Sequence, residues 1–177
     1  MSSLARDRRG SAYVEFLIAV IPFLTFTTVV LQGVLLAFAD VAVERAADAA
    51  ARSAVVVLDD DPRFYGGEAR NSASPGGARL EAIRQSAMNV LAAFPKAARL
   101  GMAERLTVEF PSGPRSTGLR SRFGPDETVT VRVRYLFACD IPMARLIMCR
   151  NARSSALMQA ESSLPNQGAR YSYGGGG

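Results

Sequence analysis

A long apolar segment without a single charge lies near the N-terminus of this chain. Phe16–Ala39 contains 24 residues, none of which is Asp, Glu, Lys or Arg. At about 1.5 Å per residue, a helix of this length exceeds the roughly 30 Å of hydrocarbon in a bilayer. The segment therefore predicts a transmembrane helix. Pro22 removes one backbone donor from its first turns, which membrane helices tolerate.

The charged residues on either side of this segment predict its orientation. Three arginines precede it between positions 6 and 9, whereas Asp40 and Glu44 are the first charged residues after it. Positive residues remain on the cytoplasmic side of a membrane. We therefore expect a single-pass membrane protein with a cytoplasmic N-terminus and an exported C-terminal domain.

A secretory signal is the alternative interpretation of the same stretch. Ala37–Ala39 forms a small-x-small site, and a signal peptidase cutting after Ala39 would release a secreted binding or adhesive domain. The apolar run is longer than the roughly 7–15 residues of an ordinary signal core, and this favours the membrane helix. Gln32 and Gly33 interrupt the apolar character and weaken that argument.

One carboxylate, Glu15, stands at the start of the apolar segment. A charge there is costly unless it reaches the interface or meets a partner, and a plain interfacial glutamate is the simplest interpretation. Cleavage after Gly10 would make Ser11 the first residue and Glu15 the fifth. Phe16 would then begin the uncharged helix. This arrangement resembles the processing site of type IV prepilins, in which the glutamate compensates the free amine of a neighbouring subunit.

The first third of the chain narrows this resemblance. The start "RRGSAYVEF", the proline in the first membrane turns and the alanine-rich "ERAADAAARSA" resemble the TadE-like proteins of the tight-adherence (Flp) pilus system. These are pseudopilins, minor pilin-like subunits that a dedicated prepilin peptidase processes. The resemblance implies a structural role in assembly of a type IV pilus and in cell adhesion. It implies as partners the prepilin peptidase, other pilin or pseudopilin subunits, the pilus assembly machinery and the inner membrane.

Hydrophobic periodicity predicts the fold of the remaining chain. A helical stripe continues the first helix to residue 57, and a second helix is expected over 78–94. Alternation of apolar and polar residues predicts strands over 106–110 and 128–137, and a less patterned third strand over 153–162. The members of the stripe on the first helix are Val43, Ala47, Ala50, Ala54 and Val57.

These elements predict an α+β fold. We expect an N-terminal transmembrane helix that extends into a small periplasmic domain, where one further helix covers a three-stranded antiparallel sheet. The predicted organisation is a prepilin-type leader (1–10), the transmembrane helix with its periplasmic extension (11–57), the periplasmic domain (58–164) and a disordered tail (165–177).

Cys139 and Cys149 follow the strongest strand pattern, with nine residues between them. In an oxidising periplasm we expect a disulfide, and closing so short a loop stabilises a fold by about 2–3 kcal/mol. Free buried thiols are the alternative.

Composition argues against catalysis. The chain contains no histidine, the commonest general base and metal ligand. We expect no enzyme, catalytic residue, metal or cofactor, and a membrane-anchored periplasmic enzyme is the second alternative. The net charge is +5, but the basic residues lack the clustered face or motif of a nucleic-acid-binding protein. No nucleic-acid partner is therefore expected.

Two charged groups are interpreted as solvated surface. Asp59, Asp60 and Asp61 precede Pro62 without the pattern of a calcium loop, and predict an exposed turn. Five arginines are interpreted as the polar side of loops and strands. They are Arg115, Arg120, Arg122, Arg132 and Arg134.

Overall fold

The computed structural model describes residues 9–92, 105–139, 141–149, 155–166 and 168. Their order is helix α1 (Arg9–Asp59), a 3-10 turn (Pro62–Tyr65), helix α2 (Ala78–Leu91), strands β1 (Leu106–Glu109) and β2 (Thr128–Ala138), helix α3 (Pro142–Met148) and strand β3 (Ser155–Pro165). The α+β class and the long apolar N-terminal helix are confirmed. The predicted leader up to residue 8, the end of the predicted second helix at Phe94 and most of the predicted tail lie outside the described residues.

The chain divides into two compact units. One contains the N-terminal part of α1, up to Ala37, together with Ala138–Ala156. The other contains Phe38–Phe137 and the chain from Leu157 onward. Helix α1 is continuous and contributes residues to both units.

The sheet of the second unit has the strand order β1-β2-β3. Strands β1 and β2 are antiparallel, with Val108 opposite Val133. Side chains also pair across β2 and β3, because the Thr130 and Ser163 hydroxyls are 2.8 Å apart. Alternate apolar residues of β2 are buried, and they form the face of the sheet that packs on the helices. These core residues are Val129, Val131, Val133 and Tyr135.

The stripe predicted on α1 is buried, as expected for core packing within the chain. Val43, Ala47, Ala50 and Ala54 are completely buried, and Val57 is nearly so. Small side chains allow the helix backbone to approach its neighbours closely. Helix α2 adds Ile83, Ala87 and Leu91 to the same core.

Helix α3 was not predicted, because the segment between the cysteines was expected to be a short loop. Pro142 occupies the first helical turn, where its missing N–H has no intrahelical acceptor to lose. Met143, Ala144, Arg145 and Leu146 then favour helix. With seven residues, α3 is too short for a hydrophobic period to be recognised in the sequence.

Candidate functional site

The four residues of the predicted processing site lie in the first turns of α1. The helix begins at Arg9, so the Gly10–Ser11 peptide bond belongs to its first turn. The first four N–H groups of a helix have no intrahelical acceptor, and glycine lowers helix stability by about 1 kcal/mol relative to alanine. The backbone around the predicted cleavage point is therefore easily unwound.

Glu15 and Phe16 are exposed on α1. No hydrogen bond or ion pair joins the Glu15 carboxylate to any residue that the structure describes. The residues that follow Glu15 offer only apolar or hydroxyl side chains for the next several turns. The carboxylate therefore lies at the edge of an apolar surface without a counter-ion from the described part of its own chain.

The surface of α1 beyond Glu15 is apolar and exposed. Large side chains remain exposed along its length, which is unusual for a surface in contact with water. They include Phe16, Leu17, Ile18, Ile21, Phe23, Leu24, Phe26, Val30, Leu31, Val34, Leu35 and Phe38. Among the described residues, one helix is long and apolar enough to cross a membrane, and it is this one. The helix is therefore compatible with a single-pass membrane anchor.

The hydroxyls of Thr25 and Thr27 in this apolar stretch are satisfied by the helix itself. The hydroxyl of Thr25 donates to the carbonyl oxygen of Ile21 at 2.8 Å, and that of Thr27 donates to the carbonyl oxygen of Phe23 at 2.9 Å. Such bonds from a residue to the preceding turn hide a hydroxyl from an apolar solvent. The two threonines therefore add little to the cost of placing this helix in hydrocarbon.

The predicted disulfide between Cys139 and Cys149 is present, with a Cα–Cα distance of 6.4 Å. Both cysteines are buried, and the loop that they close contains α3. In the same unit, Met148 reaches α1: its Cε lies 3.8 Å from the position that a Cβ on Gly33 would occupy. Neighbouring Gln32 is fully buried, and its amide has no hydrogen-bond partner within the described residues.

The five arginines between Arg115 and Arg134 were expected to be solvated. This is wrong for Arg132, which is only 3 % exposed. Its Nε donates to Glu161 at 2.7 Å and its Nη2 donates to the carbonyl oxygen of Ser116 at 2.6 Å. Arg120 pairs with Glu127. The alternation of β2 placed Arg132 correctly on the polar face, but a loop covers that face at this point.

The acidic turn is also less solvated than expected, because Asp59 and Asp61 are both buried. Asp59 accepts a hydrogen bond from the side-chain amide of Asn71 at 2.7 Å. The side chain of Arg63 donates to Asp61, as does the Arg63 backbone N–H, and these bonds lower the pKa of Asp61 to about 2. The hydrogen bonds of Asp59 and Asp61 therefore fix the end of α1 and the turn that follows it.

Arg79, which the sequence did not single out, is completely buried at the start of α2. Its guanidinium donates to the carbonyl oxygens of Val57, Asp60 and Glu68, the last two at 2.9 and 3.2 Å. It also lies 4.5 Å from the centre of the Tyr65 ring. Carbonyls at the C-terminal end of a helix lack intrahelical donors, and a cation there is favourable. Arg79 therefore fixes α2 to the end of α1.

Glu68 completes this arrangement from the loop. Its carboxylate accepts hydrogen bonds from the backbone N–H groups of Ser74 at 2.8 Å and of Arg79 at 3.1 Å. Burial raises the pKa of Glu68, but these hydrogen bonds outweigh burial and leave the pKa below its ordinary value. The cluster is structural, because every charged group in it holds backbone in place.

A cavity of about 400 Å³ lies between the start of α2 and β1. Its charged lining residues, Glu109 and Arg120, are both engaged in ion pairs. In the described part of the chain, no group of three or more acidic or cysteine side chains could hold a metal ion. We assign no chemistry to this cavity.

Comparisons of the chain with protein-family models, with curated proteins and with solved structures find no match. The resemblance of the first third of the chain to TadE-like pseudopilins therefore stays a prediction. It depends on Gly10, Glu15 and Phe16 and on the apolar helix that follows them.

Proposed function

We propose that this protein is a minor pilin-like subunit that takes part in assembly of a tight-adherence type IV pilus. It is anchored in the bacterial inner membrane by α1, with its N-terminus in the cytoplasm and its folded domain in the periplasm. The observation that carries the proposal is the position of Glu15. Its carboxylate has no ion-pair partner among the described residues, and it lies where the exposed apolar surface of α1 begins.

A neighbouring subunit supplies the counter-ion that Glu15 lacks. Cleavage after Gly10 gives Ser11 a positively charged amine, four positions from the negative carboxylate of Glu15. Two charges of opposite sign attract more strongly in a medium of low dielectric constant than in water. Packing α1 helices side by side would also bury their exposed apolar surfaces, and this supports other pilins or pseudopilins as partners.

The secreted alternative requires a signal peptidase to cut after Ala39. Ala37–Ala39 lies inside the continuous helix α1, and Ala39 is completely buried. The Gly10–Ser11 bond, in contrast, lies in a first turn that opens easily. The helix geometry therefore favours the N-terminal cleavage point.

The N-terminal residue of the mature protein tests the cleavage directly. Protein purified from its own host should begin at Ser11, as measured by intact mass and N-terminal sequencing. A chain that begins at Asp40 would contradict the pilin-like role and support a secreted domain.

Mutation of Glu15 tests the pairing separately from processing. Glu15→Ala should reduce the number of pili while mature protein remains at its normal level, because the carboxylate contacts nothing in the described domain. Glu44→Ala is the matched control, an exposed glutamate on the same helix. Gly10→Arg should instead block cleavage. Normal piliation in Glu15→Ala, at normal protein levels, would leave Glu15 as an interfacial carboxylate without a role in assembly.

A further inference from the structure

Helix α3 exposes an apolar face on the disulfide loop, Cys139–Cys149. Ala144 is buried, and Met148, one turn later on the same side, reaches Gly33 of α1. Leu146 and Ile147 are 72 % and 55 % exposed. With Met143 and Met148 they give one short helix four exposed large apolar side chains, and clustered apolar exposure of this kind marks a surface that contacts a partner or a membrane.

The position of the loop along α1 indicates what covers it. About 20 residues of helix fill the roughly 30 Å of bilayer hydrocarbon. Counted from Phe16, these residues end near Leu35, two positions after Gly33. The point at which Met148 reaches α1 therefore falls at the outer boundary of the hydrocarbon, if α1 spans the membrane as proposed above.

Exposed apolar side chains occur on both helices near this contact. Val30, Leu31 and Val34 flank Gln32 and Gly33 on α1, and all three are exposed. Leu146 and Ile147 are exposed on α3, and Arg145 is an exposed cation in the same short helix. An apolar face with a long basic side chain is typical of helices that lie in the interface, where the cation reaches lipid headgroups.

The backbone of α3 is also suited to an apolar environment. The N–H of Arg145 donates to the carbonyl oxygen of Ile141 at 2.9 Å, and the N–H of Cys149 donates to that of Arg145 at 3.0 Å. Backbone groups in contact with hydrocarbon must find partners within the protein. The disulfide replaces two polar thiols with a buried apolar bridge and holds the two ends of the loop together.

We propose that the disulfide loop inserts its apolar face, Leu146 and Ile147, into the outer leaflet of the membrane beside α1. The occupant of this face is lipid. The inference depends on the proposed membrane anchor and adds a second, shallow point of contact with the same bilayer. Interfacial helices bury their apolar face by about 5–10 Å, a depth that residues this close to the hydrocarbon boundary can reach.

Tryptophan fluorescence tests this proposal, because the chain contains no tryptophan. The full-length protein is reconstituted into phosphatidylcholine vesicles that carry bromine on the acyl chains, which quenches tryptophan only on contact. Three single-tryptophan variants are compared: Leu146→Trp in the loop, Phe26→Trp within the apolar segment, and Leu119→Trp at an exposed apolar position in the second unit.

We expect Phe26→Trp and Leu146→Trp to lose fluorescence in brominated relative to ordinary vesicles, and Leu119→Trp to lose much less. Quenching at Phe26→Trp but not at Leu146→Trp would overturn the loop proposal and leave the anchor intact. Absence of quenching at both would overturn the anchor as well. A blue-shifted Leu146→Trp signal that resists bromine but depends on protein concentration would show that another protein covers the loop, which also contradicts lipid insertion.

Discussion

Replacement of Arg79 should destabilise the folded domain more than replacement of any solvated arginine. Arg79→Met removes a completely buried cation whose guanidinium donates to the carbonyl oxygens of Val57, Asp60 and Glu68. Methionine has a similar length but leaves these carbonyls without a donor. Hydrogen bonds from charged donors contribute about 1.5–3 kcal/mol each, but their sum is reduced by the cost of burying the charge. We expect a loss of about 3–5 kcal/mol of unfolding free energy.

This loss can be measured by urea unfolding of the full chain in detergent micelles, followed by near-ultraviolet circular dichroism of the tyrosines. With a slope of about 2 kcal/mol per molar urea, the midpoint should fall by about 2 M. Arg63→Met is the control, because the Arg63 side chain is 61 % exposed and pairs with the carboxylate of Asp61. Arg79→Lys keeps the charge, and its urea midpoint can be measured instead if Arg79→Met does not fold. A midpoint for Arg79→Met equal to that of the control would refute the role of Arg79.

Three further predictions concern the disulfide, the sheet and acid stability. Replacing both Cys139 and Cys149 with serine should lower the unfolding free energy by about 2–3 kcal/mol, and an unchanged urea midpoint would contradict this. Arg132→Met should cost about 1.5–3 kcal/mol, because the partly exposed Glu161 loses its 2.7 Å charged donor, and hydrogen exchange in β3 should accelerate. The pKa of Asp61 is lowered from 3.8 to about 2, so the stability that it contributes is present above pH 3.8 and is lost as the pH falls toward 2. In Asp61→Asn, the urea midpoint should depend less on pH over this range.

The regular part of the fold was predictable because its sequence patterns are long. The stripe from Val43 to Val57 repeats over four turns, and the alternation in β2 continues over most of its 11 residues. Patterns of this length identify both the element and its buried face. The spacing between Gly10 and Glu15 was also visible, because it is a property of the sequence alone.

Three features of the structure were not predicted from the sequence, and two of them depend on distant parts of the chain. Arg79 follows an apparent loop and looks like a surface charge, because the carbonyl of Val57 that it reaches is 22 residues away. Arg132 lies on the predicted polar face, and a loop that includes Ser116 buries it. Helix α3 has too few residues to show a period. Tertiary contacts, rather than local propensity, determine the burial of the two arginines, whereas α3 was missed because it is short.

The order of elements along the chain also sets a delay during biosynthesis. The alanine stripe of α1 is complete once Val57 has been made, but Val133 and Tyr135, which share its core, follow almost 80 residues later. At synthesis rates of about 5–20 residues per second, β2 is synthesised on the order of 10 s after the stripe that it covers. During that time a narrow row of small side chains, rather than a broad surface of leucine or phenylalanine, is what the growing chain offers to unwanted partners. The alanines that permit close packing in the finished core thus also limit aggregation before the core exists.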